Sequence, residues 1–491
     1  MLAMLAAAPL AVILIGMGVL GKSAVVVGSV GLALTIGLSL MLFQPVTAPG
    51  SDALMLLRGT AAEAAHSTVT ILWIILPALA IYEFQKASGA IGRIRDNLTS
   101  LTAERRLQTI LIAWFFGLFM EGAAGFGTPV ALAAPLLVGL GYAPVRAVVL
   151  ALFGHAAGVS FGAVGTPVLA QVSVTGLDAQ EIALRTAALH AVSGPIILLA
   201  MVRLADRSPL SRRDVGWTLA AGLCFLLPSL GLAWLTGPEL PTLGGALIGA
   251  VAFVMLLPRP GRLELNLRQL SQDLAPYAII LALVLLTRLI APVQGALSAV
   301  SMGWSFGGSY SGTFQPLYHP GTMLLLGLVF GSAITRRADL LPGALLAALR
   351  RMAPVALALL VMLALSRTMV HSGMIDELAA AAAGVGPLWP VLAPLIGMFG
   401  TFITGSATAS NILFTELQVT TATQLALSAP LLVAAQGFGA AIGNIVAPHN
   451  IIAGSATVGL TGREGEVLRR TVVTCLIYAV LGGIVVLLAS T

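Results

Sequence analysis

Of 491 residues 58% are hydrophobic and 9% charged, and the mean hydropathy is +1.00; soluble domains carry roughly 25% charged residues. This composition excludes a soluble or disordered chain and defines an all-α polytopic membrane protein. The net charge of +6 would suggest nucleic acid in a soluble protein, but here Lys and Arg lie in short loops between apolar runs, as the positive-inside rule describes, so the expected partner is a lipid bilayer and not nucleic acid.

A span needs about 20 apolar residues to cross about 30 Å of hydrocarbon, and 2–20, 23–43 and 67–85 read as the first three. Residues 1–20 have no basic n-region, so they read as a retained span and not a cleaved signal peptide. Lys22 puts the first connection in the cytoplasm. The N-terminus and the 44–66 loop are then outside, and 86–106, with Lys86, Arg93, Arg95, Arg105 and Arg106, is inside. Two apolar arms, 107–120 and 129–141, flank Glu121 to Thr128. At 1.5 Å per residue each is roughly 20 Å long, too short to cross, so 107–141 reads as a re-entrant hairpin from the cytoplasmic side.

Spans follow at 145–168, 186–203, 215–235, 242–257, 275–291 and 321–335. The loops carrying Arg203, Arg207, Arg212 and Arg213, and Arg259, Arg262 and Arg268, are inside; 292–320, without Lys or Arg, is an external loop. After Arg336 and Arg337, 340–351 reads as an interfacial amphipathic piece, 352–370 as a span and 371–387 as external. A second pair of short arms, about 388–403 and 411–426, enters from outside and forms the hairpin 388–427. Residues 428–452 cross inward to Arg463, Arg469 and Arg470, and 471–489 cross out. The expected total is about 12 spans plus two re-entrant hairpins, with both termini outside.

Two regions match each other. Ser88-Gly89-Ala90-Ile91 pairs with Ser372-Gly373-Met374-Ile375 at an offset of 284 (88 to 372). The same offset, without gaps, lays Gly122 to Gly127 on Ser406 to Asn411 and Glu121 on Gly405. Pro167 pairs with Pro448, and Leu184-Arg185-Thr186 with Arg469-Arg470-Thr471, at nearly the same spacing. Small-residue motifs also recur by chance in membrane helices; several matches near one offset favour a repeat. The division expected is 1–66 as leading spans, 67–204 as the first repeat, 205–351 as linking spans and 352–491 as the second repeat. Because the hairpins enter from opposite sides, the repeats are inverted, with discontinuous helices, as in secondary transporters.

Thr128-Pro129, Thr166-Pro167 and Pro448 are helix-start signals in the middle of apolar runs, with Thr available to cap free amides. Thr408 or Ser410 can cap the returning arm of the second hairpin. Four half-helix N-termini would meet near mid-membrane, where free amides and positive dipole ends bind an anion, here a small carboxylate. Candidate substrate contacts are Gly122, Gly125, Phe126, Gly127 and Thr128 at the first tip and Gly165 and Thr166 at the next break. Ser406, Thr408, Ser410 and Asn411 at the second tip, and Asn444, His449 and Asn450 at the last break, complete the set. The neutral polar groups among them also suit an alkali cation or a hydroxyl.

Glu121 stands at the C-terminal end of its arm, where the helix dipole and low dielectric both favour a neutral carboxyl. A carboxyl that is neutral yet reachable from the site can carry a proton; the alternative is a scaffold role, bonded to the tip amides. His155 and His449 are candidate proton relays, His155 being taken with Glu121 as the proton-coupling pair. His190 reads as packing, as do Cys224 and Cys475. Arg288 and Arg367 lie near the outer ends of their spans and read as snorkelling, with carboxylate binding as the second reading. No P-loop or HExxH run occurs, so neither an ATP-driven pump nor a metalloprotease is expected. The chain is expected to be no enzyme and to need no cofactor beyond a coupling ion, H+ or Na+.

The run EGAAGFGTP at 121–129 resembles the L-lactate permease family, secondary transporters of 2-hydroxymonocarboxylates such as lactate and glycolate. The likeness continues through 135–168, 404–414 and 434–453. It implies proton-coupled uptake of these carboxylates across the bacterial inner membrane by alternating access. It also implies kinship with a wider ion transporter superfamily in which Ser-, Asn- and Thr-rich hairpin tips bind sodium and carboxylate. Sodium-coupled anion transport and an anion channel are the alternatives.

Overall fold

A computed structural model describes residues 2–18, 20, 22–43, 53–125, 127–206, 208–258, 266–307, 309–460 and 463–490. Phe126, Arg207, Arg259 and Arg262, all named above, lie outside them. In chain order α1 (Leu2–Gly18), α2 (Ala24–Met41), α3 (Ala53–Ala87) and α4 (Ala90–Ser100) lead to the first hairpin. Its first arm is α5 (Arg105–Thr109), a π-helical stretch (Ile110–Phe116) and α6 (Gly117–Ala123), and it returns as α7 (Thr128–Gly139). A broken span follows, made of α8 (Pro144–His155), a 3-10 stretch (Ala156–Phe161) and α9 (Gly162–Thr175). Then come α10 (Ala179–Ala205), α11 (Arg212–Thr236), α12 (Pro241–Leu256) and α13 (Leu267–Leu289). The next segment holds α14 (Ala291–Ser298), β1 (Met302–Phe306) and β2 (Tyr310–Phe314), and leads to α15 (Pro320–Ile334), α16 (Leu341–His371) and α17 (Met374–Ala383). The second hairpin is α18 (Trp389–Thr404) and α19 (Ala407–Gln424); a second broken span, α20 (Ala429–Val446) with α21 (Pro448–Thr457), precedes α22 (Glu464–Ser490).

Ten helical stretches among the described residues are long and apolar enough to cross a membrane. One of them, Gly386–Thr404, is instead the first arm of the second hairpin. The shorter apolar helices α1, α12 and α15 bring the set to the expected twelve spans beside two hairpins. The broken span through α8 and α9 is wholly buried and α20 is 89% buried, against 28% for α2 and 33% for α22. The discontinuous elements therefore form the core and the continuous ones its jacket.

Several boundaries differ from expectation. The piece at 340–351 is no separate interfacial helix: it is the start of α16, which runs on through Pro354 as 31 continuous residues. The unit boundaries at 66/67 and 351/352 both fall inside continuous helices, α3 and α16. The loop at 292–320 contains α14 and an antiparallel β-hairpin, paired from Met302↔Phe314 to Phe306↔Tyr310, the one strand pair among the described residues.

The repeat is visible at matching backbone points. Gly89 (φ +74°) and Gly373 (φ +80°) both take the left-handed conformation and begin α4 and α17, so here the offset of 284 holds. At the tips it fails. α7 begins at Thr128 and α19 at Ala407, an offset of 279 (128 to 407). Gly122 to Gly127 therefore do not fall on Ser406 to Asn411, and Glu121, inside α6, is not the counterpart of Gly405, which caps α18. Part of the shift comes from the π-helical stretch, whose i→i+5 turns use more residues for the same rise. That stretch is held by aromatic contacts: Trp114 meets Phe225 of α11 edge-on with centroids 5.5 Å apart, and Phe115 meets Phe253 of α12 at 5.2 Å in a tilted pair.

Ion pairs between elements sort into two layers. Arg93–Asp273 (2.6 Å), Arg106–Asp214 (2.5 Å), Arg213–Glu104 (3.2 Å) and Arg351–Glu83 (2.7 Å) join residues all expected on one face. Arg288–Glu239 (2.6 Å), Arg367 with Glu63 and Glu416, and His371–Glu63 (2.8 Å) join residues all expected on the other. The Arg106–Asp214 pair ties the base of the first hairpin to α11. Asp214 also completes a capping box with Ser211, and both side chains are nearly buried, 10% and 9% exposed. Asp214→Ala strands Arg106 and is expected to cost about 3–5 kcal/mol. A thermal midpoint in detergent equal to that of the parent would show that the pair contributes nothing.

Candidate functional site

Each discontinuity is built from its local sequence. In the first hairpin Gly125 (φ +56°) and Gly127 (φ +77°) turn the chain through left-handed geometry, open to glycine without a Cβ penalty. Thr128 and Pro129 then start α7. The Thr128 hydroxyl was expected to cap amides; it donates instead to the Gly125 carbonyl at 2.8 Å, and no side chain caps α7. The Thr128 amide also goes to the Gly125 carbonyl, at 3.0 Å, and Pro129 has none to offer. Thr166 repeats this at the start of the regular part of α9, donating to the Ala163 carbonyl at 2.7 Å.

Before Thr166 three consecutive residues are left-handed: Ala163 (φ 42°), Val164 (φ 54°) and Gly165 (φ 83°). A β-branched residue there is a marked outlier, and each such non-glycine residue costs roughly 1–3 kcal/mol, persisting only where its surroundings enforce it. Ala163 and Val164 are buried, and a Cβ on Gly165 would strike the Pro238 carbonyl. No residue type in this run announces the conformation, so sequence reasoning found the Thr-Pro step and missed the strained turn before it.

In the second hairpin Gly405 (φ +71°) ends α18, and Ser406 caps α19 by accepting from the Ala409 amide at 3.3 Å. Neither expected cap serves: Thr408 sits in the first turn of α19, and Ser410 donates to the Gly397 carbonyl at 2.9 Å. The last break is a single extended residue, Ala447, between α20 and Pro448 of α21. Asn450 spans it, donating to the Asn444 carbonyl at 3.0 Å.

All four breaks line one cavity of about 640 Å3. Glu121, Gly125, Gly127, Thr166, Ser406, Thr408, Asn444, His449 and Asn450 stand in its wall. Lys22 and Arg351, on the basic face, also line it. Glu121 is 4% exposed and is wedged between the two breaks of the first repeat, against the positions where Gly125 and Gly162 would carry a Cβ. Among the described residues no hydrogen bond holds its carboxyl, so the scaffold reading, with a bond to the tip amides, finds no partner there.

Other candidates lie behind the wall. His155 is fully buried, with Nδ1 2.7 Å from the Ala151 carbonyl and Nε2 3.3 Å from the side chain of Asn444. It reaches the cavity only through Asn444. Gly122 packs on the backbone of Leu243, Asn411 donates to the Pro167 carbonyl at 3.1 Å, and Thr128, Gly165 and Ser410 shape the breaks without lining the cavity. His190 is held between Ser160 (2.9 Å) and Tyr478 (3.0 Å), away from the cavity. No group of three His, Cys, Asp or Glu among the described residues is placed to hold a metal ion.

Two hairpins and two broken spans in inverted repeat, closing on a cavity of half-helix N-termini, define a membrane transporter. Residues 2–262 and 268–491 match the L-lactate permease family, and the chain belongs to that family. It is 30% identical over 477 residues to "Glycolate permease GlcA" of Escherichia coli K12, covering 86% of this chain and 84% of that protein. It is 33% identical over 391 residues to an L-lactate permease of Streptococcus iniae, covering 74% and 80%. Among solved structures the YdaH transporter of Alcanivorax borkumensis is similar in fold, with a TM-score of 0.56 at 16% identity over 95% of this chain and 98% of that one. MtrF of Neisseria gonorrhoeae gives 0.51 at 15% over 95% and 94%.

Proposed function

We propose that the protein imports lactate and related small 2-hydroxymonocarboxylates such as glycolate together with protons across the bacterial inner membrane, by alternating access. The observation that carries this reading is the placement of Glu121, without a protein partner among the described residues, in the wall of a cavity lined by all four helix breaks. The names of the relatives supply the substrate class. The substrate carboxylate sits on the amides at the starts of α7 and α19, and its hydroxyl meets Thr408 or Asn450. Glu121 carries the coupled proton, with His155 behind Asn444 as a second proton site.

The positive-inside rule makes the basic face cytoplasmic and both termini external; the side of the cavity lined by Lys22 and Arg351 then faces the cytoplasm. Moving one negative charge inward against the membrane potential costs roughly 2.3 kcal/mol per 100 mV. One proton per lactate removes that cost. A second reading, sodium coupling, draws on the oxygens of Ser406, Thr408, Asn444 and Asn450 in the wall. Uptake of L-[14C]lactate into proteoliposomes with an inward proton gradient, with and without sodium, tests both. Accumulation that needs the proton gradient and ignores sodium is expected. Sodium-dependent accumulation would transfer the coupling to the second hairpin, and downhill flux alone would make the protein a channel.

A further inference from the structure

A second cavity, of about 750 Å3, lies on the opposite face beside the β1–β2 hairpin and α14, and shares no lining residue with the first. The septum between them is thin. Ile74 faces the outer cavity and Ile75 the inner one, as do Leu169 and Pro167. Pro238, in the outer wall, rests on Gly165 of the strained turn. The two cavities therefore approach each other across α3, α9 and the strained turn.

Arg288 of α13 is built into the outer wall with its side chain 9% exposed. Its guanidinium lies 3.7 Å from the Tyr318 ring centroid, donates to the Tyr318 carbonyl and gives one bond of 2.6 Å to Glu239 Oε1. An arginine can hold a carboxylate through two parallel bonds. Glu239 supplies one oxygen, and its Oε2 is buried with no hydrogen-bond partner. The pair is half made, with a buried acceptor left unsatisfied.

The charged and titratable groups around it come from every neighbouring element: Glu63 and His66 of α3, Asp178 before α10, His319 before α15 and Arg367 of α16. Burial and the nearby Arg288 push His319 down to about 4, so it is neutral at working pH. Among the Asp, Glu and Arg side chains of the wall, three carboxylates face two guanidiniums, a formal excess of one negative charge. A free anion is repelled by that wall; an anion accompanied by a proton leaves its charge unchanged.

We propose that the outer cavity is a second, transient station for a small monocarboxylate, whose carboxylate replaces that of Glu239 on Arg288 while Glu239 takes the proton. The identity of the ligand rests on the function proposed above. The forked Arg288 pairs both ligand oxygens, and Thr236 offers a partner for a hydroxyl.

The test places a single cysteine at Gln294, an exposed residue of this wall, in a chain with Cys224 and Cys475 replaced by Ser. A membrane-impermeant maleimide applied from outside reads its accessibility, with L-lactate as the probe. Lactate is expected to slow labelling saturably, and Glu239→Gln, which removes the competing charge, to lower the half-protecting concentration about tenfold. A gain of this kind cannot come from misfolding. Arg288→Ala is expected to abolish protection. Thr408→Asp, which fills the central helix start with its own carboxylate, is expected to leave protection in place. Absence of protection, protection that survives Arg288→Ala, or protection lost in Thr408→Asp overturns the station. Lactate accumulation by the parent, measured in parallel, separates this failure from failure of the proposed function: a parent that transports without protection loses only the station.

Discussion

Glu121→Gln is expected to abolish proton-driven accumulation of lactate while leaving lactate exchange intact. The carboxyl is nearly buried between the two breaks of the first repeat and makes no hydrogen bond among the described residues. Gln fills the same volume and removes only the titration. With one proton per lactate and no voltage, a one-unit pH gradient supports about tenfold accumulation, since one pH unit is 1.36 kcal/mol. The variant should reach a ratio of about one by the same reasoning. Counterflow, which needs the binding site and the conformational change but no net proton, should persist. Full accumulation by the variant would remove Glu121 from the coupling and leave His155 or a cation at the second hairpin to provide it.

Thr408→Asp should cost about three orders of magnitude in lactate affinity without harm to the fold. Residue 408 lies in the first turn of α19, where a carboxylate complements the dipole and adds 0.3–1 kcal/mol or so to helix stability. The same carboxylate stands where the substrate's would bind. Two like charges about 4 Å apart repel by roughly 4 kcal/mol at the effective dielectric of a protein site. Thr408→Ser, which keeps the hydroxyl, should bind as the parent does. A thermal midpoint at or above the parent's, combined with lost binding, is the expected signature; unchanged affinity would move the carboxylate away from the α19 start.

Much of this organisation was legible in the sequence because membranes restrict it. Apolar run length and the placement of Lys and Arg gave the spans and the two layers that the ion pairs later obey. Arms too short to cross gave the hairpins. Two Thr-Pro steps and Pro448 gave three of the four breaks, since Pro is suited to the first turn of a helix. What stayed hidden depends on tertiary context. Ala163 and Val164 favour ordinary helix or strand and are left-handed only because burial forces them. The Thr128 and Thr166 hydroxyls turn toward carbonyls and not amides, a choice made by the turn geometry. His155 and Asn411 were placed at the site from their spans alone, yet which face of a buried helix meets the cavity depends on packing that pattern does not encode. Lys22 was taken as a topology mark because nothing in its neighbourhood shows that α1, α2 and α16 border the cavity.

The first repeat needs 39 residues from its left-handed Gly89 to the start of α7 at Thr128, and the second needs 34 from Gly373 to the start of α19 at Ala407. A perfect inverted duplicate would give two states related by a two-fold rotation, identical in energy and equally populated at rest. The surplus in one half, part of it wound into a π-helix, lifts that degeneracy. With Glu121 and the strained turn in the same half, the idle protein has a preferred side, and its forward and backward half-cycles need not run at the same speed.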